Sequence, residues 1–185
     1  MANKSGALAI RRLVRPVGWL GVLAVTAWLL SMTLVPGSVS EHQPVHLVPF
    51  SEKLPALRCL LTACDTADEA ARFLWIDLLG NVAVFVPFGV MAALAMLPSD
   101  QPAITGVGSS RHYPVRWWMK VVALGFGLSL GIEIAQLGVP GRVTDVDDVI
   151  LNALGTCIGA VTLWAVGLLV RRMSVLHTRH AAQES

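Results

Sequence analysis

The feature that most constrains this chain is a set of four long apolar stretches. They cover residues 17–35, 74–97, 117–138 and 149–170. Each is close to or above the ~20 residues that a helix needs to cross ~30 Å of hydrocarbon. Helices of a water-soluble bundle would need a polar outer face, and none of these stretches has one of sufficient width. The sequence therefore predicts an all-α membrane protein with four transmembrane helices.

The composition agrees with lipid as the surrounding solvent. Hydrophobic residues make up 55% of the 185 residues and charged residues only 14%, whereas about a quarter of an ordinary soluble domain is charged. The net charge of +2 is too small to indicate a nucleic-acid partner. The length leaves room for one domain, which we expect to be a single membrane domain over residues 1–185.

The first stretch has two interpretations, a cleaved signal peptide or an anchor helix. Basic residues precede it, as they do in both classes: Lys4, Arg11, Arg12 and Arg15. An apolar region over 17–35 is longer than the ~7–15 residues of a signal peptide, and no clear A-x-A cleavage site follows. We expect an anchor, and because the stretch carries no ionisable side chain we expect anchoring to be its main role.

The lysines and arginines indicate an orientation, since loops on the cytoplasmic side carry an excess of them. Four of the 14 fall on one side: Lys53, Arg58, Arg72 and Arg142. The other ten are Lys4, Arg11, Arg12, Arg15, Arg111, Arg116, Lys120, Arg171, Arg172 and Arg179. The sequence therefore predicts that both termini are cytoplasmic and that residues 36–72 form a larger outer loop. The inner connector, 98–114, is rich in Pro, Gly and Ser and is predicted to be irregular.

The outer loop carries two local signals. Residues 66–69 (TADE) match a capping box, which predicts that a helix begins there and continues into the second span. Cys59 and Cys64 are close enough in sequence for a short-loop disulfide in an oxidising exterior. Two free thiols are an equally good interpretation, and the sequence leaves both open.

Three of the four spans carry polar side chains near the end that is predicted to face outward. These side chains are Asp77 and Asn81, Glu133 and Gln136, and Asp145, Asp147, Asp148 and Asn152. At ~1.5 Å rise per residue, Asn81, Glu133 and Asn152 share one layer some 5–12 Å below the outer edge. Ionisable groups at such depth are functional-site candidates, so we predict a single polar cluster in the outer leaflet.

Structural roles compete with function for the same residues. Buried amides in membrane helices often hold helices together, each contributing about 1 kcal/mol or less. Glu133 and Arg142 also have the chemistry for a simple interfacial ion pair. For Asn81 and Asn152 a structural and a functional role are equally supported. For Glu133 and Arg142 together with Asp147 and Asp148 we favour a functional role. Gly155 and Gly159 are predicted to permit a close helix approach, and Pro87 to kink the second span.

Several motifs together resemble the VanZ-like family. Residues 81–89 (NVAVFVPFG) are similar to its second-helix signature, and 132–136 (IEIAQ) with 141–155 (GRVTDVDDVILNALG) resemble its long C-terminal one. Residues 46–50 (HLVPF) resemble its short motif after the first span, and the likeness runs from about residue 47 to 170. Asp77, Cys59 and Cys64 lie outside these signatures.

The resemblance implies a multi-pass protein of the bacterial cytoplasmic membrane. The family is named for a protein linked to resistance to the glycopeptide teicoplanin, and no biochemical activity is established for it as a whole. Its polar positions correspond here to Asn81, Glu133, Gln136, Arg142, Asp145, Asp147, Asp148 and Asn152. No cofactor is expected, and homo-oligomerisation stays open.

Three functions follow from these residues. The first is binding of a membrane lipid or a lipid-linked cell-wall precursor, with Arg142 on a phosphate or carboxylate and Asn81, Gln136 and Asn152 on the polar head. The second is a metal-dependent enzyme acting on lipid phosphates or headgroups, in which Asp145, Asp147 and Asp148 would hold a hard cation. Because Asp-x-Asp-Asp is a weak metal signal, we favour a non-enzymatic role. Transport with Glu133 as a proton relay is the third.

Overall fold

A computed structural model describes residues 4–36, 45–98 and 113–183. In chain order they form α1 (Lys4–Thr33), β1 (Val45–His46), α2 (Lys53–Leu61), α3 (Ala67–Leu74), a π-helical turn (Trp75–Leu79), α4 (Gly80–Ala95), α5 (Val115–Gln136), β2 (Thr144–Asp145) and α6 (Val146–Gln183). The predicted inner connector falls mostly outside the described residues. The outer loop is described only from residue 45 onwards.

Four helices among the described residues are long and apolar enough to cross a membrane. They are Leu13–Thr33, Ala67–Ala95, Val115–Gln136 and Val146–Val170. This confirms the predicted all-α fold with four membrane-spanning helices. The second span begins earlier than its apolar stretch, at Ala67, because α3, the π-helical turn and α4 are continuous. A helix does start at the predicted capping box, although the Thr66 side chain makes no capping hydrogen bond.

The centre of the bundle is α4, which packs against both α1 and α6, while α5 packs mainly on α6. Phe85 and Phe88 of α4 are fully buried, and their rings lie 5.9 Å apart. Pro87 sits inside the same helix but points to its exposed side. The core is therefore built from the apolar face of α4, and the other three spans surround it.

Small residues let α4 and α6 approach closely. A Cβ atom on Gly155 would collide with the carbonyl oxygen of Val82, and one on Gly159 with the carbonyl oxygen of Val86. A Cβ atom on Gly89 of α4 would likewise collide with the backbone of Thr156. The backbones of the two helices are thus in direct contact, as the glycine spacing predicts.

The first span is fixed to α4 at the end opposite β1. A Cβ on Gly18 would collide with the backbone of Ala95, so α1 and α4 also touch through backbone atoms. The Nε of Arg15 donates to the carbonyl oxygen of Ala95 at 3.3 Å. Since Ala95 ends α4, its carbonyl has no partner within the helix and the arginine supplies one.

Two short strands join the segment after α1 to the segment before α6. β1 and β2 are parallel, with Val45 opposite Thr144 and His46 opposite Asp145. This pairing holds residues 45–50 against the first turn of α6. The two strands lie at the end of the bundle that carries Asp77 and Asp145. We call this end the polar end.

Candidate functional site

The polar end is organised around the ammonium group of Lys53, the first residue of α2. Its Nζ lies 2.8 Å from Asp77 Oδ2, 3.0 Å from Asp145 Oδ2 and 2.7 Å from Asp147 Oδ2. The Lys53 side chain is only 4% exposed, and the three carboxylates come from the π-helical turn, β2 and α6. We call these four residues the lysine cluster. It ties the outer loop to two of the spans.

The surroundings of Lys53 act on its pKa in opposite directions. Burial alone lowers the pKa of the ammonium group, because a charge is less stable away from water. The hydrogen bonds to Asp147, Asp77 and Asp145 have the opposite sign and prevail, so the pKa of Lys53 lies above its ordinary value. Lys53 is therefore a permanent cation in this site.

Asp147 is the most buried member of the lysine cluster and also holds the loop backbone. Its side chain is 1% exposed, and its Oδ1 accepts a hydrogen bond of 2.7 Å from the backbone N–H of Phe50. Phe50 has a positive φ of 59°, a conformation that aromatic residues seldom adopt. The contact with Asp147 stabilises this turn, which leads directly into Lys53.

Two further contacts lie around the lysine cluster. Asn81 Nδ2 of α4 donates to Asp148 Oδ1 of α6 at 2.6 Å. The backbone N–H of Asp145 donates to Glu133 Oε2 of α5 at 3.0 Å. Glu133 is 5% exposed, so its carboxylate is a buried acceptor at the end of α5. Asp148 is also close enough to Lys53 to interact with it electrostatically. The second, third and fourth spans thus place these groups around Lys53, and we call them together the polar network.

Arg142 and Gln136 contact the last turn of α1. Arg142 donates from Nε to the carbonyl oxygen of Thr33 and from Nη2 to that of Met32, each at 2.8 Å, and Gln136 Nε2 donates to Thr33 at 3.1 Å. These carbonyls end a helix and lack partners within it. We call Thr33, Gln136 and Arg142 the arginine clasp. Through it α1 takes part in the polar end as well as anchoring the chain.

Asn152 lies deeper and takes part in helix packing. Its Nδ2 donates to Ser129 Oγ of α5 at 2.8 Å, and its backbone carbonyl accepts from Thr156 Oγ1 at 2.9 Å. All three side chains are buried. Within the described residues Asn152 forms no hydrogen bond with the lysine cluster, and its bond to Ser129 is of the interhelical kind.

The eight predicted site residues therefore fall into three groups. Asn81, Glu133, Asp145, Asp147 and Asp148 belong to the network around Lys53, Gln136 and Arg142 belong to the arginine clasp, and Asn152 bonds Ser129 below them. Glu133 and Arg142 do not form the ion pair considered from the sequence, because each has a backbone partner instead. The sequence did not identify Lys53 as a site residue and indicated only that it is one of the basic residues of the outer side.

The described part of the chain holds no group of three or more His, Cys, Asp or Glu side chains arranged for a metal ion. Asp145 and Asp147, two of the three weak metal candidates, direct carboxylate oxygens at Lys53, and Asp148 accepts from Asn81. Lys53 occupies the place that a cation would take between these carboxylates.

Cys59 and Cys64 are joined by a disulfide, with their Cα atoms 5.1 Å apart. The bond closes a short loop around the end of α2 and the turn before α3. Cys157 is the free cysteine, and it is partly buried in α6. The disulfide keeps α2 close to the start of the second span.

A model of the VanZ/LLP1 family matches residues 19–169, which is most of the chain. This chain belongs to the VanZ/LLP1 family. The match confirms the resemblance carried by the motifs, and it covers every residue of the lysine cluster and of the arginine clasp. Comparisons of this VanZ/LLP1 chain with curated proteins and with solved structures gave no match.

Proposed function

We propose that this VanZ-like protein binds the headgroup of a lipid, or of a lipid-linked cell-envelope component, at the polar end of its bundle. In this proposal the protein lies in the bacterial cytoplasmic membrane with both termini inside. The polar end then faces the outer leaflet, where lipid-linked cell-wall precursors are also found. Such binding would serve envelope maintenance or glycopeptide resistance.

The observation that carries the proposal is an excess of carboxylates at the polar end. Five of them, Asp77, Asp145, Asp147, Asp148 and Glu133, share one network with a single lysine. Charges in a poorly solvated place are costly unless an opposite charge is near. Protons or a cationic group from outside the chain would balance the remainder. The Asp77 side chain is 28% exposed, so a ligand amine can reach it.

Arg142 supplies the opposite charge beside this network. Its described partners are the backbone carbonyls of Thr33 and Met32, which carry no formal charge. No carboxylate of the described residues forms an ion pair with it. Glu133 attracts the guanidinium only from beyond ion-pair distance. A partly exposed arginine without a direct ion pair suits a phosphate or carboxylate. In the proposal, Asp77 takes the amine of a zwitterionic headgroup and Arg142 takes its phosphate.

The experiment is to purify the protein in mild detergent and count the lipids that stay bound by native mass spectrometry. Asp77→Asn and Arg142→Ala should each lower the retained lipid several-fold, because each removes one charge that the headgroup would contact. The matched controls are Asp68→Asn and Arg116→Ala, whose side chains are exposed and belong neither to the lysine cluster nor to the arginine clasp. Thermal melting establishes that each variant is folded. If folded Asp77→Asn and Arg142→Ala retain as much lipid as the two controls, the proposal is overturned.

No specific observation favours the alternative, a metal-dependent enzyme acting on lipid phosphates. Its candidate ligands Asp145 and Asp147 are engaged by Lys53 at 3.0 and 2.7 Å. We therefore propose binding without catalysis. Turnover of envelope lipids by the purified protein, abolished in Asp147→Asn, would reverse this choice.

A further inference from the structure

An apolar groove lies between α1 and α5, with Phe88 of α4 at its base. It has a volume of about 290 Å³. Its walls are formed by Val22 and Thr26 of α1 and by Leu124, Gly127 and Leu128 of α5, and Phe88 of α4 closes its base. A Cβ atom added at Gly127 would meet no atom within 4 Å, so there is open space at that position.

The groove lies within the hydrophobic spans and below the arginine clasp. Thr26 precedes Thr33 by seven residues and Leu128 precedes Gln136 by eight, which along a helix correspond to ~10 and ~12 Å. The groove is thus on the same two helices as the clasp, about two turns further into the membrane. A space at this depth is bordered by hydrocarbon, so only an apolar group can fill it without a desolvation cost.

The clasp provides polar partners above the groove. Gln136 Oε1 is buried and accepts no hydrogen bond from the described residues, and Gln136 as a whole is 7% exposed. A buried acceptor without a partner is uncommon, because leaving it unsatisfied costs about 1–3 kcal/mol. Arg142 beside it carries a charge that its two carbonyl partners do not neutralise. A hydroxyl or amine donor and a phosphate together match these two groups.

We propose that the groove holds one acyl chain of a phospholipid whose phosphate lies at Arg142. The inference rests on the proposed function and deepens it, since it names the ligand class and the position of its apolar part. A phospholipid has the required order of groups along its length, with a charged phosphate, polar ester groups and then an alkyl chain.

The test fills the groove without disturbing the helices. Gly127→Leu places an apolar side chain in the open space, and Thr26→Leu does the same from the α1 wall. The matched control is Gly167→Leu in α6, because an added side chain at Gly167 also meets no atom within 4 Å. The full-length proteins are delipidated and titrated with palmitoyl-oleoyl-phosphatidylethanolamine, and the bound lipid is counted by native mass spectrometry. Thermal melting establishes that the variants are folded.

We expect Gly127→Leu and Thr26→Leu to lower lipid binding several-fold and Gly167→Leu to leave it unchanged. If both groove variants bind as the parent does while Arg142→Ala binds less, the groove inference is wrong and the proposed function stands. If Arg142→Ala and Asp77→Asn also bind as the parent does, both are wrong. Conversion of a dimer to a monomer by Gly127→Leu would identify the groove as a contact between copies and would likewise overturn the inference.

Discussion

At the scale of single residues, Lys53 connects the loop with the bundle. Its ammonium group is the shared partner of Asp77 and of the pair Asp145 and Asp147, which follow Asp77 by about 70 residues. Removing one partner of a buried ion-pair group leaves the others uncompensated, whereas removing an exposed charge has little effect. Loss of the Lys53 charge should therefore destabilise the fold, whereas loss of an exposed lysine charge should not.

Lys53→Met should lower the free energy of unfolding by about 3–5 kcal/mol, because three carboxylates lose their common cation. The exposed Lys120 at the start of α5 provides the control, and Lys120→Met should change the free energy by less than about 0.5 kcal/mol. Chemical unfolding in detergent, followed by circular dichroism, measures both. Equal stability of Lys53→Met and the parent would mean that the lysine cluster does not hold the loop.

The carboxylates of the site were predictable from sequence, whereas their central partner was not. Asp145, Asp147 and Asp148 stand together at the start of a span, and ionisable groups in such places are conspicuous. Lys53 lies in a loop and reaches Asp145 across 92 positions. No local period links residues so far apart, and a lysine in an extramembrane loop is ordinarily solvated. The same reason explains why the contact of Arg142 with Thr33 was missed, since it spans 109 positions.

At the scale of elements, the contact between α4 and α6 depends on residues without side chains. Gly159 faces the carbonyl oxygen of Val86 and the Cα of Gly89, whereas Gly167 on the same helix faces open space. Between membrane helices the attraction comes largely from such close packing, because lipid tails are as apolar as the helices themselves.

Gly159→Leu should therefore force the two helices apart and lower the melting temperature strongly, with a cost of at least about 1–3 kcal/mol for the overpacked contact. Gly167→Leu, where the added side chain points into open space, should leave the melting temperature close to that of the parent. Differential scanning fluorimetry of the two purified variants compares them directly. Similar melting temperatures would show that α4 and α6 do not pack through their backbones.

The spans were predictable in number and approximate position because each is a long apolar run. The apolar run of the second span begins at 74, and the capping box at 66–69 correctly predicted that the helix itself starts earlier, at Ala67. Residues 67–74 carry charged side chains that belong to the helix but not to its apolar part. Neither the π-helical turn at Trp75–Leu79 nor helix α2 was predicted. A short helix next to a span has no hydropathy signal of its own, and it is stabilised by the lysine cluster and the disulfide.

At the scale of the whole molecule, the proposed orientation follows from the distribution of basic residues. With the termini inside, α2 and the disulfide between Cys59 and Cys64 lie outside, where disulfides persist. A green fluorescent protein fused to the C-terminus should then be fluorescent, and an alkaline phosphatase fused there should be inactive. The opposite pair of results would invert the orientation and move the polar end to the cytoplasmic leaflet.

The oxidation state of the loop gives an independent check on the same arrangement. Protein purified without reductant and then denatured should expose a single reactive thiol, that of Cys157, and reduction should raise the number to three. Maleimide labelling followed by intact-protein mass spectrometry counts them. Three reactive thiols before reduction would mean that Cys59 and Cys64 are not bonded in the cell.

The central claim is that the polar end binds a lipid headgroup between opposite charges. An electron cryo-microscopy map of the full-length protein in phosphatidylethanolamine nanodiscs tests it most directly. The account predicts density for a headgroup in contact with Asp77 and Arg142, continued by an acyl chain beside Gly127. A well-ordered map in which Asp77 and Arg142 contact only protein and water would contradict it.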